Sequence, residues 1–179
     1  MRDWNVVATI HDGGFRRACR LLSLEGDLSR TEFYNIVVMT VPDIDSFLGR
    51  LEKLWSESRS FPQVVAHVRP VRETFDFQSP EEFEVEAKEL ALGLAENLAG
   101  KSFHVRIHRR GLKGTLSTKD EERSLADAVL ARLSSSGASA RVTFDDPDAV
   151  LAVDSVGDRA GMTLWTREDL RRYSFLGLG

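Results

Sequence analysis

Cysteine is almost absent from this sequence of 179 residues, in which Cys19 is the only one. A single cysteine forms no intrachain disulfide, and it leaves too few thiolates for a cysteine-based metal site. Long apolar runs are also lacking, because no stretch approaches the roughly 20 residues that a membrane helix needs. The first five residues do not have the charged and then apolar layout of a signal peptide. These absences predict a soluble, cytoplasmic protein.

The motifs of common enzyme classes are missing as well. The sequence contains no G-x-x-x-x-G-K-[ST] phosphate loop, no dinucleotide-binding glycine fingerprint and no evident nucleophile–base pairing. His104 and His108 share the i, i+4 spacing of some metal sites, but no cysteine or carboxylate accompanies them. Asp145, Asp146 and Asp148 surround a proline, which favours a turn over a cation site. We therefore expect no catalytic residues, no bound metal and no cofactor.

Charge is distributed unevenly along the chain, although the net charge is only −4. Between Lys101 and Lys119 there is no acidic residue, whereas residues 81–96 hold six glutamates against the single cation Lys88. A nucleic-acid-binding protein needs a local basic face rather than a basic total, so this segregation is compatible with such a role. The same basic segment is also typical of an ordinary solvated surface, and charge alone does not decide between the two.

The first 74 residues have the pattern of a small α/β domain. Apolar runs rich in β-branched residues predict strands at 4–10, 32–41 and 63–68. Helical spacing of apolar residues predicts helices at 15–24 and from Asp43, a suitable N-cap, to about 55. This alternation suggests a ferredoxin-like α/β sandwich. Residues 69–79 are predicted to be a linker in which Arg69 and Arg72 either extend an RNA-binding surface or pair with the acidic segment.

Residues 75–179 are predicted to form a second α/β domain. A helix at 80–99 has Ser79 as its cap and Pro80 at its first position. Alternation in 102–108 predicts a half-buried strand with His104, Arg106 and His108 on its polar face. A basic loop at 109–114 follows, and then a helix from Thr118, whose capping-box pattern places Glu121 at the third helical position. Three short strands are expected at 141–144, 150–154 and 162–165.

Two segments of this second domain resemble the THUMP family. One is the run FHVRIHRRGLKG at 103–114, followed by Ser117 at the start of a helix. The other is RVTFDDPDAVLAV at 141–153, which matches the family's strand, Pro-Asp turn and strand. The order of elements also agrees over about residues 75–170, and in this family a ferredoxin-like domain usually precedes the THUMP domain. Each motif is short, so the likeness depends on their order.

The resemblance implies a function in RNA binding, with the acceptor end of tRNA as the expected target. Larger THUMP proteins carry a methyltransferase, thiouridine synthetase or pseudouridine synthase domain, whereas small members include adaptors for a tRNA cytidine acetyltransferase. Because this sequence ends at Gly179, we expect a stand-alone adaptor that is not itself an enzyme. The alternative is a protein–protein adaptor or regulatory module that does not bind RNA directly and docks a basic partner through its acidic helix.

The basic segment supplies the candidate RNA-binding residues. Arg and Lys suit phosphate groups, and a helix N-terminus provides free N–H groups for an anion. Glycines at 111 and 114 are expected to allow the backbone to approach a phosphate closely. The candidates are Lys101, Arg106, Arg109, Arg110, Lys113, Lys119 and Arg123. We expect that reversing the charge of Arg109 and Arg110 weakens RNA binding while leaving the domain folded.

Overall fold

The computed structural model describes residues 3–112, 114 and 116–178, which form two compact units. The first unit extends to Arg72 and also includes Tyr173–Gly177, and the second covers Glu73–Arg172. The sequence places the last residues in the second domain, whereas the structure groups them with the first. Phe175 and Leu176 are buried there, and the Phe175 ring lies 5.6 Å from that of Trp55. A segment this short has no periodicity that reveals its partner.

The first unit has a β-α-β-β-α-β order, interrupted only by one short extra helix. In its sheet the described strands run antiparallel in the order β2-β3-β1-β4, which is the ferredoxin-like arrangement. The α/β fold class predicted for this half is confirmed. Its elements are β1 (Val6–Ile10), α1 (Phe15–Leu22), β2 (Asp27–Arg30), β3 (Ile36–Thr40), α2 (Ile44–Glu57), α3 (Phe61–Val64) and β4 (Val65–Pro70).

Local chemistry accounts for most of these elements. Asp43 caps α2 by accepting a hydrogen bond from the Ser46 backbone N–H at 2.7 Å, as its position before the apolar run predicts. Two elements were missed. Strand β2 lies at the sheet edge and is largely exposed, so its sequence lacks the apolar alternation that predicts a strand. Helix α3 is a single turn, too short for a helical period.

The second unit contains a mixed sheet with the strand order β5-β9-β8-β6-β7 in the described part of the chain. Strand β6 runs parallel to β7 and β8, and β9 runs antiparallel to β8 and β5. Its elements are β5 (Glu73–Asp76), α4 (Pro80–Leu94), a 3-10 helix (Ala95–Leu98), β6 (Ser102–Arg110), α5 (Thr118–Ser135), β7 (Arg141–Val142), β8 (Ala149–Val156), β9 (Arg159–Thr166) and α6 (Arg167–Arg172).

Helices α4 and α5 bury their apolar faces against this sheet. The core combines Phe83 and Ala87 of α4, Leu125 and Val129 of α5, and inward-facing residues of the strands such as Phe103. The predicted helix at 80–99 is therefore α4 with a 3-10 extension, and the predicted cap Ser79 accepts a hydrogen bond from the Glu82 N–H. None of the described helices is long and apolar enough to cross a membrane.

The predicted linker is largely regular structure. Strand β4 continues to Pro70, and Glu73–Asp76 forms the edge strand β5, paired with β9. Both arginines of this segment make contacts within the first unit. The buried Arg69 donates to the Leu176 carbonyl at 3.3 Å, and Arg72 pairs with Asp45 at 2.5 Å. The four residues of β5 are too few, and too mixed in polarity, to predict as a strand.

Strand β6 is longer and more buried than predicted. It extends through the expected loop residues Arg109 and Arg110, and His104 on its predicted polar face is only 3% exposed. The prediction of a solvated outer face is therefore wrong at His104. The reason is tertiary, because β6 lies inside the sheet between β7 and β8 rather than at an edge.

Candidate nucleic-acid interface

The candidate basic residues fall on three different parts of the second unit. Lys101 is exposed at the turn before β6, and Arg106, Arg109 and Arg110 are half-buried along β6 itself. Lys119 and Arg123 are exposed on the first two turns of α5. Lys113 lies outside the described residues. Because Lys101 directly precedes the nine residues of β6, Lys101 and Arg110 are separated by roughly 30 Å, at about 3.3 Å per strand residue.

The C-terminal end of β6, formed by Arg109 and Arg110 and called the β6 end below, uses its arginines within the protein. Arg110 Nη1 lies 2.7 Å from Asp154 Oδ1, a carboxylate that is 1% exposed, and the Arg110 side chain is itself only 14% exposed. Arg109 Nη1 donates to the Leu112 carbonyl oxygen. Arg109 Nε is buried without a hydrogen-bond partner among the described residues. These arginines are therefore poorly placed as freely accessible phosphate ligands.

Gly111 also has an internal structural reason to be glycine. Its φ is +113°, and a Cβ at this position would lie 3.1 Å from the Gly157 carbonyl oxygen. The Gly157 N–H in turn donates to the Arg110 carbonyl at 2.9 Å. The close approach expected at Gly111 is therefore made to the β8–β9 turn of the same unit.

Lys119 and Arg123 line a cleft of about 430 Å³ between α5 and the edge of the sheet. The i, i+4 spacing puts both cations on one face of the helix. Neither forms an ion pair with any residue that the structure describes. We call this cleft the α5 groove, and its lining residues are Val105, Lys119, Glu122, Arg123, Ala126, Asp127, Leu130, Val142 and Phe144.

The start of α5 sets the position of these cations. Ser117, one residue before the predicted cap Thr118, is the N-cap, and its hydroxyl accepts from the Asp120 N–H at 3.4 Å. The capping-box prediction was thus displaced by one residue. Glu121 consequently does not occupy the third helical position, and its side chain is buried at 5% exposure.

The two glutamates that follow Asp120 in α5 are held by the protein in different ways. Burial, reinforced by the nearby Glu84 carboxylate, raises the pKa of Glu121 to about 7. This carboxyl is therefore about half protonated near neutral pH. Glu122 accepts a hydrogen bond from the Ile107 backbone N–H at 2.8 Å, so part of its acceptor capacity holds α5 to β6.

The opposite wall of the α5 groove carries two exposed apolar side chains at the sheet edge. Phe144 is 71% exposed and Val142 is 41% exposed. The Phe144 ring centroid lies 5.1 Å from that of His104, with 30° between the ring planes. The sequence predicts that Phe144 ends the strand at 141–144 and gives the residue no function. Its alternation with Val142 was visible, but only the edge position of β7 shows that this pair faces solvent.

The His104 side chain that packs against the Phe144 ring is buried and uncharged. Its Nδ1 lies 3.1 Å from the Thr143 carbonyl, and its Nε2 is buried without a partner among the described residues. Burial is the main cause that lowers the pKa of His104, so the ring is neutral at physiological pH. His104 therefore does not add charge to a basic surface.

The acidic segment after Phe144 is a turn that fastens β7 and β8 to β6. Asp148 accepts hydrogen bonds from both the backbone N–H and the hydroxyl of Ser102, each at 2.8 Å, and these bonds lower its pKa. Arg167 donates to the carbonyls of Asp146 and Pro147. Within the described ranges there is no group of three or more His, Cys, Asp or Glu residues arranged to hold a metal.

Comparison with known proteins identifies related folds only. No protein-family model and no curated protein sequence matches the chain. Among solved structures, TrmN from Thermus thermophilus aligns with 89% of this chain and 44% of its own, with a TM-score of 0.60 and 20% identity. A 4-thiouridine synthetase–RNA complex with bound ATP aligns with 92% of this chain and 42% of its own, with a TM-score of 0.56 and 12% identity.

The THUMP domain of THUMP domain-containing protein 1 also aligns, over 50% of this chain and 90% of that one, at 16% identity and a TM-score of 0.41. That score is too low to bear on the fold, which is shown by the two larger alignments. This chain spans less than half the length of both of those proteins. The confirmed conclusion is an α/β fold that the chain shares with TrmN and the 4-thiouridine synthetase.

Proposed function

We propose that this chain is an RNA-binding module, directed at tRNA, that works without catalytic residues of its own. The α5 groove carries the proposal, because it combines an exposed aromatic ring with two exposed cations that have no ion-pair partner among the described residues. Proteins that bind single-stranded RNA without sequence preference use two kinds of contact. Their cations bind the phosphates, and their aromatic rings stack on the bases.

Two further observations support this function. The fold is shared with a 4-thiouridine synthetase whose structure was solved as an RNA complex, and with TrmN. The segments 103–114 and 141–153 resemble the THUMP family, whose expected target is the acceptor end of tRNA. We further propose that the chain presents tRNA to a separate modifying enzyme, such as a cytidine acetyltransferase, in the cytoplasm.

The first prediction is that the full chain binds unfractionated tRNA and loses affinity as salt rises. If the two cations of the α5 groove each contact one phosphate, Kd increases roughly tenfold between 50 and 200 mM salt. Filter binding or fluorescence anisotropy at several salt concentrations measures this slope. A DNA duplex of similar length is the control for attraction by charge alone. Failure to bind tRNA at low salt, or binding that is indifferent to salt, contradicts the proposed function.

A second candidate function is a protein–protein adaptor that does not contact RNA. Helix α4 favours it, because its exposed glutamates surround Val85, an apolar residue that is 56% exposed. Such a face suits a basic partner with a small apolar contact at its centre. Recovery of an identified tRNA-modifying enzyme with this chain after ribonuclease treatment, combined with no measurable tRNA affinity, supports this candidate over the first.

A further inference from the structure

We propose that Phe144 is a stacking platform for one unpaired nucleotide of an RNA strand, held in the α5 groove with its phosphates near Lys119 and Arg123. The inference rests on the proposed RNA-binding function and deepens it by naming the occupant of the groove. Exposed apolar residues that are scattered singly need no explanation. Here Val142 and Phe144 line the same cleft as two cations.

The Phe144 ring is held by the backbone on either side of it rather than by burial. The Thr143 N–H donates to the Phe103 carbonyl at 2.9 Å, which continues the β6–β7 ladder. The Thr143 hydroxyl accepts from the Asp145 N–H at 3.3 Å, and the Thr143 carbonyl lies against His104 Nδ1. A ring positioned in this way is preorganised, so a base stacking on it does not have to order the loop first.

Lys119 and Arg123 supply cations for phosphate in a groove that the carboxylates of Glu122 and Asp127 also line. Both are exposed, both line the groove, and they lie one helical turn apart on the face that looks across to Phe144. The cleft volume of about 430 Å³ falls within the range of small-molecule sites. Aromatic stacking combined with a neighbouring basic track is the arrangement by which proteins hold unpaired nucleotides.

Asp127 adds a preference among bases. It lines the groove one turn beyond Arg123 and is exposed. A carboxylate accepts a hydrogen bond from the N4 amine of cytosine, whereas uracil has a carbonyl oxygen at the same position. The groove is therefore expected to favour cytosine over uracil, two bases of the same size that differ in hydrogen bonding.

The test measures binding of the full chain to unfractionated tRNA, to single-stranded rC6 and rU6, and to a blunt RNA duplex. The wild type is compared with Phe144→Ala, Phe144→Leu and Phe144→Trp, and with Asp127→Asn. Tyr34→Ala is the matched control, because Tyr34 is an 81% exposed aromatic residue in the other unit. Circular dichroism confirms that each variant is folded, and CMP as a competitor separates binding of a free nucleotide from binding of a strand.

We expect Phe144→Ala and Phe144→Leu to weaken rC6 binding at least roughly fivefold, because stacking of one base is worth that much or more. Phe144→Trp and Tyr34→Ala should retain it, rC6 should bind more tightly than rU6, and Asp127→Asn should reduce that difference. Full retention of affinity by Phe144→Leu overturns stacking and indicates a contact that needs only apolar volume, such as a protein side chain.

The stacking platform and the RNA-binding function can be overturned independently of each other. If tRNA and the duplex bind but the hexamers do not, or if Phe144→Ala binds like the wild type, the stacking platform is overturned and RNA binding stands. Competition by CMP at the affinity of rC6 overturns the assignment to a strand. If the wild type binds none of the RNAs at low salt, the proposed function itself is overturned.

Discussion

The β6 end and the α5 groove each contain two of the candidate cations, yet they use these charges in opposite ways. At the β6 end, Arg110 neutralises the buried Asp154, and Arg109 donates to the nearby Leu112 carbonyl. In the α5 groove, Lys119 and Arg123 are exposed and have no ion-pair partner in the part of the chain that the structure describes. The more densely basic segment therefore contributes less accessible charge than the helix that follows it.

This contrast shows that the number of cations in a segment is a poor measure of a binding surface. A buried carboxylate needs a compensating charge, and an arginine that supplies one is no longer available to a ligand. An arginine on the exposed face of a helix does not neutralise a buried group, so its charge stays available to a ligand. Variants of the β6 end that reduce RNA affinity without affecting stability would contradict this contrast.

The largest expected effect is the loss of stability in Arg110→Ala. This variant removes the cation that lies 2.7 Å from the buried Asp154 carboxylate, and breaking a buried ion pair in this way costs about 3–5 kcal/mol. Urea unfolding followed by circular dichroism measures the change. The double variant Arg110→Ala with Asp154→Asn removes the buried carboxylate charge together with the cation and should recover much of the loss.

The ion pair between Arg110 and Asp154 means that a charge reversal at Arg109 and Arg110 affects stability as well as RNA binding. Arg110→Glu brings a second carboxylate to Asp154, so we expect this variant to lose stability as well as any RNA affinity. Unchanged stability in either Arg110 variant would show that the pair with Asp154 is not what holds this arginine, and the contrast with the groove would disappear.

The next effect concerns the buried side of α5, at Glu121. Its pKa of about 7 in the folded protein lies above the ordinary value of 4.5, so the folded state keeps a proton that the unfolded state loses. Stability therefore falls as pH rises from about 4.5 to 7, and the full penalty is present above 7. Glu121→Gln should remove this slope and stabilise the protein by about 3 kcal/mol at pH 8.

Chemical unfolding of the wild type and Glu121→Gln at pH 5, 6, 7 and 8 measures this difference. Asp120→Asn is the matched control, because Asp120 precedes Glu121 on the same helix but is exposed. Parallel stability curves for the wild type and Glu121→Gln would show that Glu121 is ionised in the folded protein at all these pH values.

The smallest expected free-energy change is the loss of RNA affinity in Lys119→Glu with Arg123→Glu. We expect tRNA binding to weaken at least roughly tenfold, about 1.4 kcal/mol, and its dependence on salt to become shallower because two phosphate contacts are lost. Both side chains are exposed, so the unfolding midpoint should change little. Anisotropy titrations at three salt concentrations measure the affinity and the slope.

A matched control for this variant is Arg16→Glu with Arg20→Glu. These two exposed arginines have the same i, i+4 spacing on α1 of the first unit, and the change in net charge is identical. An equal loss of affinity in both double variants would mean that net charge, and not the α5 groove, governs binding.

Prediction from sequence succeeded where one residue's neighbours along the chain decide its conformation. The cap at Asp43, the cap at Ser79 before Pro80 and the apolar stripe of α4 are local features, and the structure has all three. It failed at β2 and β5, short edge strands whose hydrogen-bond partners lie elsewhere in the chain. The candidate site was predicted in part, since Lys119 and Arg123 were named but Phe144 was not.

The sequence by itself determined the α/β character of both halves, the acid-free segment and the start of α5 to within one residue, because periodicity, capping and composition are properties of adjacent residues. Only the tertiary structure decided which of the basic residues remain accessible. The partners of Arg110 and His104 are Asp154 and Thr143, about forty residues away along the chain. Pairing across that distance is set by the order of strands in the sheet, which also puts Phe144 at an edge facing Lys119 and Arg123.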